Sequence, residues 1–281
     1  MPLEPLAAID TRRYFRPVAS ALVNTLRALP EDAWNRATVA GSWRVRDVVA
    51  HLIDTAFRRL SFHRDRMTPA PPSKPIESPR DFVEFINELN AQWVIASKRL
   101  SPRVLTDLYD VASSQQADWF ESVPLDAPAL FAVSWAGEHT SPGWFDIGRE
   151  FTEVWHHQQQ IRMAIGADGL DDSRYLAAVI DVSLRGLPHA FREVTASIGD
   201  TVVLDVSGSA GGQWTLLRED AGWTLWRGSP PSATTRVQLE ADAAWRLLFN
   251  ALAEPEAASA VRVDGRSDLA RPLLRARSVV V

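Results

Sequence analysis

The chain has 281 residues, of which 46% are hydrophobic and 23% charged, and a net charge of −5. That balance supports a globular core and excludes a mainly disordered or fibrous chain. Residues 170–281 carry 12 basic and 14 acidic groups and residues 1–169 carry 18 and 21, so neither part has the clustered positive charge that sequence-independent nucleic-acid binding needs. No apolar run reaches membrane-spanning length, and MPLEPLAAID lacks the basic start and apolar core of a secretory signal. There is no cysteine, which excludes disulfides, a thiolate nucleophile on this chain and Cys-ligated zinc. The expectation is a cytoplasmic protein without nucleic-acid or membrane partners. Any metal is held by His, Asp, Glu or backbone oxygen.

In chain order, residues 6–28 read as a helix, rich in Ala, Leu and Arg. Val45, Val48, Val49, Leu52, Ile53, Ala56, Phe57 and Leu60 recur at helical spacing and predict a second helix from Trp43 to about Met67, capped by Ser42. The proline-rich residues 68–79 are a loop, because proline removes donors and clashes with the preceding turn. Residues 80–99 and 102–122 predict two more helices. Residues 124–143 read as a loop whose aromatic groups, Phe131 and Trp135, with His139, fold back onto the domain. Trp144–Ile165 is the next helix, closed by Gly166, and Asp171–Glu193 a further one, bent at Gly186–Pro188. After Gly199 the texture changes. Thr201–Ser207, Gln213–Arg218, Trp223–Arg227, Thr234–Leu239, Ala260–Asp264 and Val279–Val281 read as strands, with helices at Ala241–Leu252 and Ser267–Leu274. The expected fold is mainly α plus α+β: a helical bundle over 1–168, then a smaller α+β domain over 169–281 with a mostly antiparallel sheet.

Six histidines are present: His51, His63, His139, His156, His157 and His189. Glu153 and His157 are four apart, so a helix stacks them on one face, where a carboxylate oxygen and an imidazole nitrogen can converge on one divalent ion. His156 is rotated about 100° away. His51, off the apolar stripe of the second helix beside Asp47, Thr55 and Arg58, is the candidate third ligand. Two histidines and one carboxylate from two helices leave coordination positions open, as catalytic rather than structural sites do. Asp47 and Gln160 are the nearest candidates to accept the second ring N–H of each histidine. His63, in a basic stretch, reads as a surface group and His189 as structural.

Two stretches carry a resemblance: Trp43-Arg-Val-Arg-Asp-Val-Val-Ala-His51-Leu, and Glu153-Val-Trp-His-His157-Gln-Gln-Gln160-Ile-Arg-Met-Ala-Ile-Gly166. Together they resemble the mycothiol-dependent maleylpyruvate isomerase family, whose N-terminal domain is a DinB-like, metal-binding four-helix bundle. Gly208–Trp214, Val263–Gly265 and Leu269–Leu274 look like that family's C-terminal, sterol-carrier-protein-like domain. The resemblance implies a divalent metal, zinc first and nickel second, on His51, Glu153 and His157. It also implies an arginine from the second domain in catalysis, for which Arg227 and Arg246 are the candidates. Where the family often has Asp, three residues after the second histidine, this chain has Gln160. The implied partners are a small electrophilic substrate and a low-molecular-weight thiol cosubstrate, activated beside the metal for isomerisation or S-transfer. Two alternatives use the same residues differently: a metal-dependent hydrolase that activates water, and a non-enzymatic metal- or lipid-binding module.

Overall fold

The structure is a computed structural model that describes residues 2–278, apart from Ser73, Asp171 and Ala253. The chain divides into two compact units. One comprises Thr11–Leu130 and Glu153–Leu170; the other comprises Met1–Asp10, Phe131–Thr152 and Asp171–Val280. The units are therefore interleaved along the chain, where composition suggests a single change near residue 168.

The first unit is a helical bundle. It is built from α1 (Arg12–Ala28), α2 (Val45–Arg58), α3 (Pro79–Ser97), α4 (Pro102–Ser122) and the part of α5 (Gly143–Ile165) from Glu153 onward. Prolines open α3 and α4, where a missing N–H costs nothing. Ser78 and Ser101 cap these helices by accepting from Asp81 N and Val104 N. Phe15, Leu22 and Leu26 of α1 are buried with Leu105, Tyr109 and Phe120 of α4, and the Phe15 and Phe120 rings lie 4.6 Å apart. Trp93 of α3 donates its indole N–H to Ala50 O of α2 at 2.8 Å. Arg162 of α5 reaches Thr25 of α1 at 3.2 Å.

Three sequence expectations need correction here. Helix α1 starts at Arg12 rather than residue 6, because Glu4–Pro5 instead form a short strand, β1, of the other unit. Helix α2 is capped at Arg44, not Ser42: the Asp47 carboxylate accepts the Arg44 N–H at 3.0 Å, while residues 37–44 close a small hairpin through an Ala37–Arg44 bridge. Its far end widens into a π-turn over Arg59–Arg64. That turn rotates His63 inward, so His63 is buried beside Arg59 and Trp119 rather than on the surface.

The second unit is α+β. Its sheet has the order β1-β4-β3-β2-β5-β6, with β2 Thr201–Ser207, β3 Gly212–Glu219, β4 Gly222–Arg227, β5 Thr235–Glu240 and β6 Arg262–Gly265. Among the described residues only the β2–β5 pairing is parallel, so the sheet is mostly antiparallel as expected. Central β2 is buried along most of its length. Helices α7 (Leu187–Ala190), α8 (Ala241–Leu248) and α10 (Ser267–Arg275) pack on the sheet, and α6 (Ser173–Leu184) on α8. The expected helix over 171–193 is thus two, α6 and α7. Helix α8 stops short of Leu252, because Asn250 takes a left-handed φ of 55°. A short helix, α9 (Glu254–Ala260), follows where no element is expected. The aromatic loop folds back through Trp135, which packs on Phe145 at 5.8 Å and covers Gly186. His189 occupies the space where a side chain at Gly137 would stand, a structural role. The strand expected at Val279–Val281 lies outside the described residues.

Candidate metal centre

Helix α2 supplies His51 and α5 supplies Glu153 and His157. One ligand atom from each of the three lies within 4.8 Å of the others. The helical repeat of α5 places His157 one turn beyond Glu153, with Nε2 3.1 Å from Oε1. His51, far away in sequence, brings its Nε2 to 3.0 Å from the same oxygen. Both imidazoles are buried, while Glu153 keeps 30% of its side chain exposed, so the cluster is open on the carboxylate side.

The electrostatics follow from burial and from the neighbours. Desolvation pushes the His51 imidazole below its ordinary value, against the upward pull of its hydrogen bond to Glu153. Burial by itself would raise the Glu153 carboxyl. The charge and hydrogen bond of His157, with His51 and His156 adding to them, hold it well below the usual carboxylate range. Glu153 is the anion of the site.

Outside the cluster, Gln160 Oε1 lies 2.7 Å from His157 Nδ1 and accepts its N–H, as expected of an outer-shell partner. Asp47 does not play that part for His51. Its carboxylate is occupied by the Arg44 N–H, and His51 Nδ1 is buried with no hydrogen-bond partner among the described residues. His156 stacks on His157 with ring centroids 4.1 Å apart, and its Nδ1 stands 3.9 Å from Glu153 Oε2. It flanks the cluster and is not part of it. Trp43, just ahead of α2, carries no spacing signal that makes it a site residue, since helical periodicity does not extend beyond the helix, which begins at Val45. Its ring lies 4.9 Å from that of His51 and 6.3 Å from that of His157.

The donor set fits a divalent cation. With Nδ1 engaged by Gln160, Nε2 is the His157 ring atom turned toward the Glu153 oxygen. His51 turns its own Nε2 to the same point. Two nitrogen donors and a carboxylate converging there repel one another unless a proton or a cation lies between them. Two imidazoles and one carboxylate are the ligand types that suit zinc and its first-row neighbours.

The two arginine candidates belong to the sheet unit. Arg227 of β4 lies over the Trp214 ring at 4.2 Å, crosses Gly212 and pairs with Asp181 at 3.5 Å, leaving 40% of its side chain exposed. Arg246 of α8 is engaged by Glu256 at 3.2 Å, by Asp242 at 3.8 Å and by Ala251 O. Arg246 is thereby tied into local structure, with 22% of its side chain exposed against 40% for Arg227. Among the described residues no helix is long and apolar enough to cross a membrane.

Residues 15–162, more than half of the chain, match the family model of the mycothiol maleylpyruvate isomerase N-terminal domain. A solved structure of the mycothiol-dependent maleylpyruvate isomerase is similar with a TM-score of 0.53 at 15% identity, over 90% of this chain and 91% of that one. A histidine-to-alanine variant of that enzyme is similar over the same shares, with a TM-score of 0.52 at 15% identity. At that identity the likeness shows the fold. A sterol carrier protein 2-like protein from Aedes aegypti covers 34% of this chain and 96% of its own, at 15% identity and a TM-score of 0.26, too low to carry an argument. No curated protein matches.

Proposed function

The chain belongs to the mycothiol maleylpyruvate isomerase N-terminal domain family, and from that premise we propose that it is a divalent-metal enzyme using a low-molecular-weight thiol on a small electrophilic substrate. The observation that carries the reading is the convergence of His51, Glu153 and His157. The two imidazole nitrogens and the carboxylate would hold the ion, zinc in the first instance. A divalent ion there supplies positive charge that favours the deprotonated form of a thiol or water beside it.

The chain's own groups prepare the site for that chemistry. Glu153 offsets part of the ion's charge and holds both imidazoles in register through one oxygen. Gln160 fixes the His157 tautomer with Nε2 free to donate its lone pair. The buried imidazoles exclude water from one side, and the exposed edge of Glu153 leaves the approach for a ligand. Having no cysteine, the chain depends on a cosubstrate for sulfur. Arg227, partly exposed and set on Trp214, is the sheet unit's candidate to bind an anionic group.

Purified full-length protein is assayed for metal by elemental analysis. It is then offered maleylpyruvate, and a panel of other small electrophiles, with mycothiol or glutathione, before and after chelation. About one zinc per chain, with turnover that needs both thiol and metal, is the expected result. Metal-dependent turnover with water alone would replace the reading by a hydrolase. A protein that binds no divalent metal would overturn it.

A further inference from the structure

A ligating histidine is held in place by the hydrogen bond of its second ring nitrogen, and that bond fixes both ring orientation and tautomer. His157 has this bond, to Gln160 at 2.7 Å. His51 does not: its Nδ1 is buried without a partner among the described residues, and Asp47, one turn before it on the same helix, accepts the Arg44 N–H instead. What borders the His51 ring instead is aromatic. The indole of Trp43 lies 4.9 Å away, tilted at 45°, and the edge of His157 lies 4.8 Å away, at 74°.

Trp43 is itself held firmly. Its N–H donates to Ala40 O at 3.1 Å. Its carbonyl accepts from the Thr38 N–H at 3.1 Å and from the Thr38 hydroxyl at 2.7 Å, inside the hairpin that the Ala37–Arg44 bridge closes. A half-buried indole fixed from the backbone is a rigid wall, and a ring packed on it at that distance keeps one orientation. We infer that Trp43 is the positioning residue for His51, doing with an aromatic face what the Gln160 amide does for His157. The two imidazoles are thus anchored by different physics, one polar and one apolar. The inference rests on the ligand set proposed above.

The test uses the full chain and its W43F and W43A variants, each checked for unchanged helix content. Zinc affinity is measured by competition with a chromogenic chelator. The ring nitrogens and carbon-bound protons of His51 are followed by NMR in metal-free protein. W43A is expected to bind zinc 10–100-fold more weakly, the usual effect of losing an outer-shell partner, with the His51 ring signals broadened by exchange. W43F, which keeps a ring face, is expected to stay within about threefold of wild type with sharp signals. W43A matching wild type in both affinity and His51 signals would overturn the inference. If wild type binds no zinc, the metal reading falls, and the His51 signals alone decide the role of Trp43: broadening confined to W43A supports it, and sharp signals in all three overturn it.

Discussion

Replacing Gln160 by Leu removes one hydrogen bond and keeps the side chain's bulk, which makes it a direct probe of how His157 is prepared. In the intact protein the Nδ1–H···Oε1 contact is 2.7 Å and buried. Losing it forfeits about 1 kcal/mol of net hydrogen bond and leaves a buried donor unsatisfied, at about 1–3 kcal/mol. Without the Gln160 acceptor the ring proton is better placed on Nε2, where Glu153 Oε1 stands 3.1 Å away as an acceptor. Nε2 is the nitrogen that would ligate, so the metal must then compete with that proton. The expected loss of zinc affinity is 10–100-fold, about 1.4–2.7 kcal/mol. Competition against a chelator at neutral pH measures it. Gln160→Glu keeps an acceptor and gives it charge, so that variant is expected to bind zinc at least as tightly as wild type. A Gln160→Leu protein with wild-type affinity would refute the reasoning, and so would equal losses in both variants.

Elemental analysis of His51→Ala and His157→Ala should find the metal gone, while His156→Ala keeps it, since His156 only flanks the cluster. Asp47→Ala should cost about 1 kcal/mol of stability through the lost helix cap and leave zinc affinity unchanged; a melt beside a zinc titration separates the two. In metal-free protein His51 and Glu153 both have values below those of the unfolded chain. The unfolded state therefore binds more protons, and stability falls as pH drops. The His51 share is intact above about 6.5 and is lost below it, toward its lower folded value; the Glu153 share is lost only below about 4.5. Denaturant melts of wild type and His51→Gln from pH 7.5 to 5 should converge as pH falls, and a difference that stays constant would contradict the burial argument.

The residues differ in how far local rules reach them. Glu153 and His157 are a pair by helical period alone, and so are His157 and Gln160, so their juxtaposition is legible in the sequence once α5 is recognised as a helix. The strands after Gly199 are legible for a similar reason, since alternation and β-branching are local. The burial of His63 and the capping of α2 at Arg44 escape simple periodicity because a π-turn and a capping carboxylate override it. The strand at Glu4–Pro5 has no local signal because a strand that short exists only through its partner, β4.

Local pattern thus determined most of the helices, most of the sheet and two of the three residues of the candidate site, because hydrogen bonds within a turn of helix or along a strand act between near neighbours. That His51 belongs with them is suggested by its place off the apolar stripe of α2 and by resemblance, and the spacing of residues 102 apart cannot establish it. Tertiary packing decided that His51 Nε2 meets the oxygen His157 meets. It also decided that Asp47 caps a helix instead of serving the site, and that Trp43 lies against the imidazole. Each of these depends on which groups the folded backbone brings within about 3–5 Å, the range in which hydrogen bonds and ring contacts act, and no local period encodes that distance.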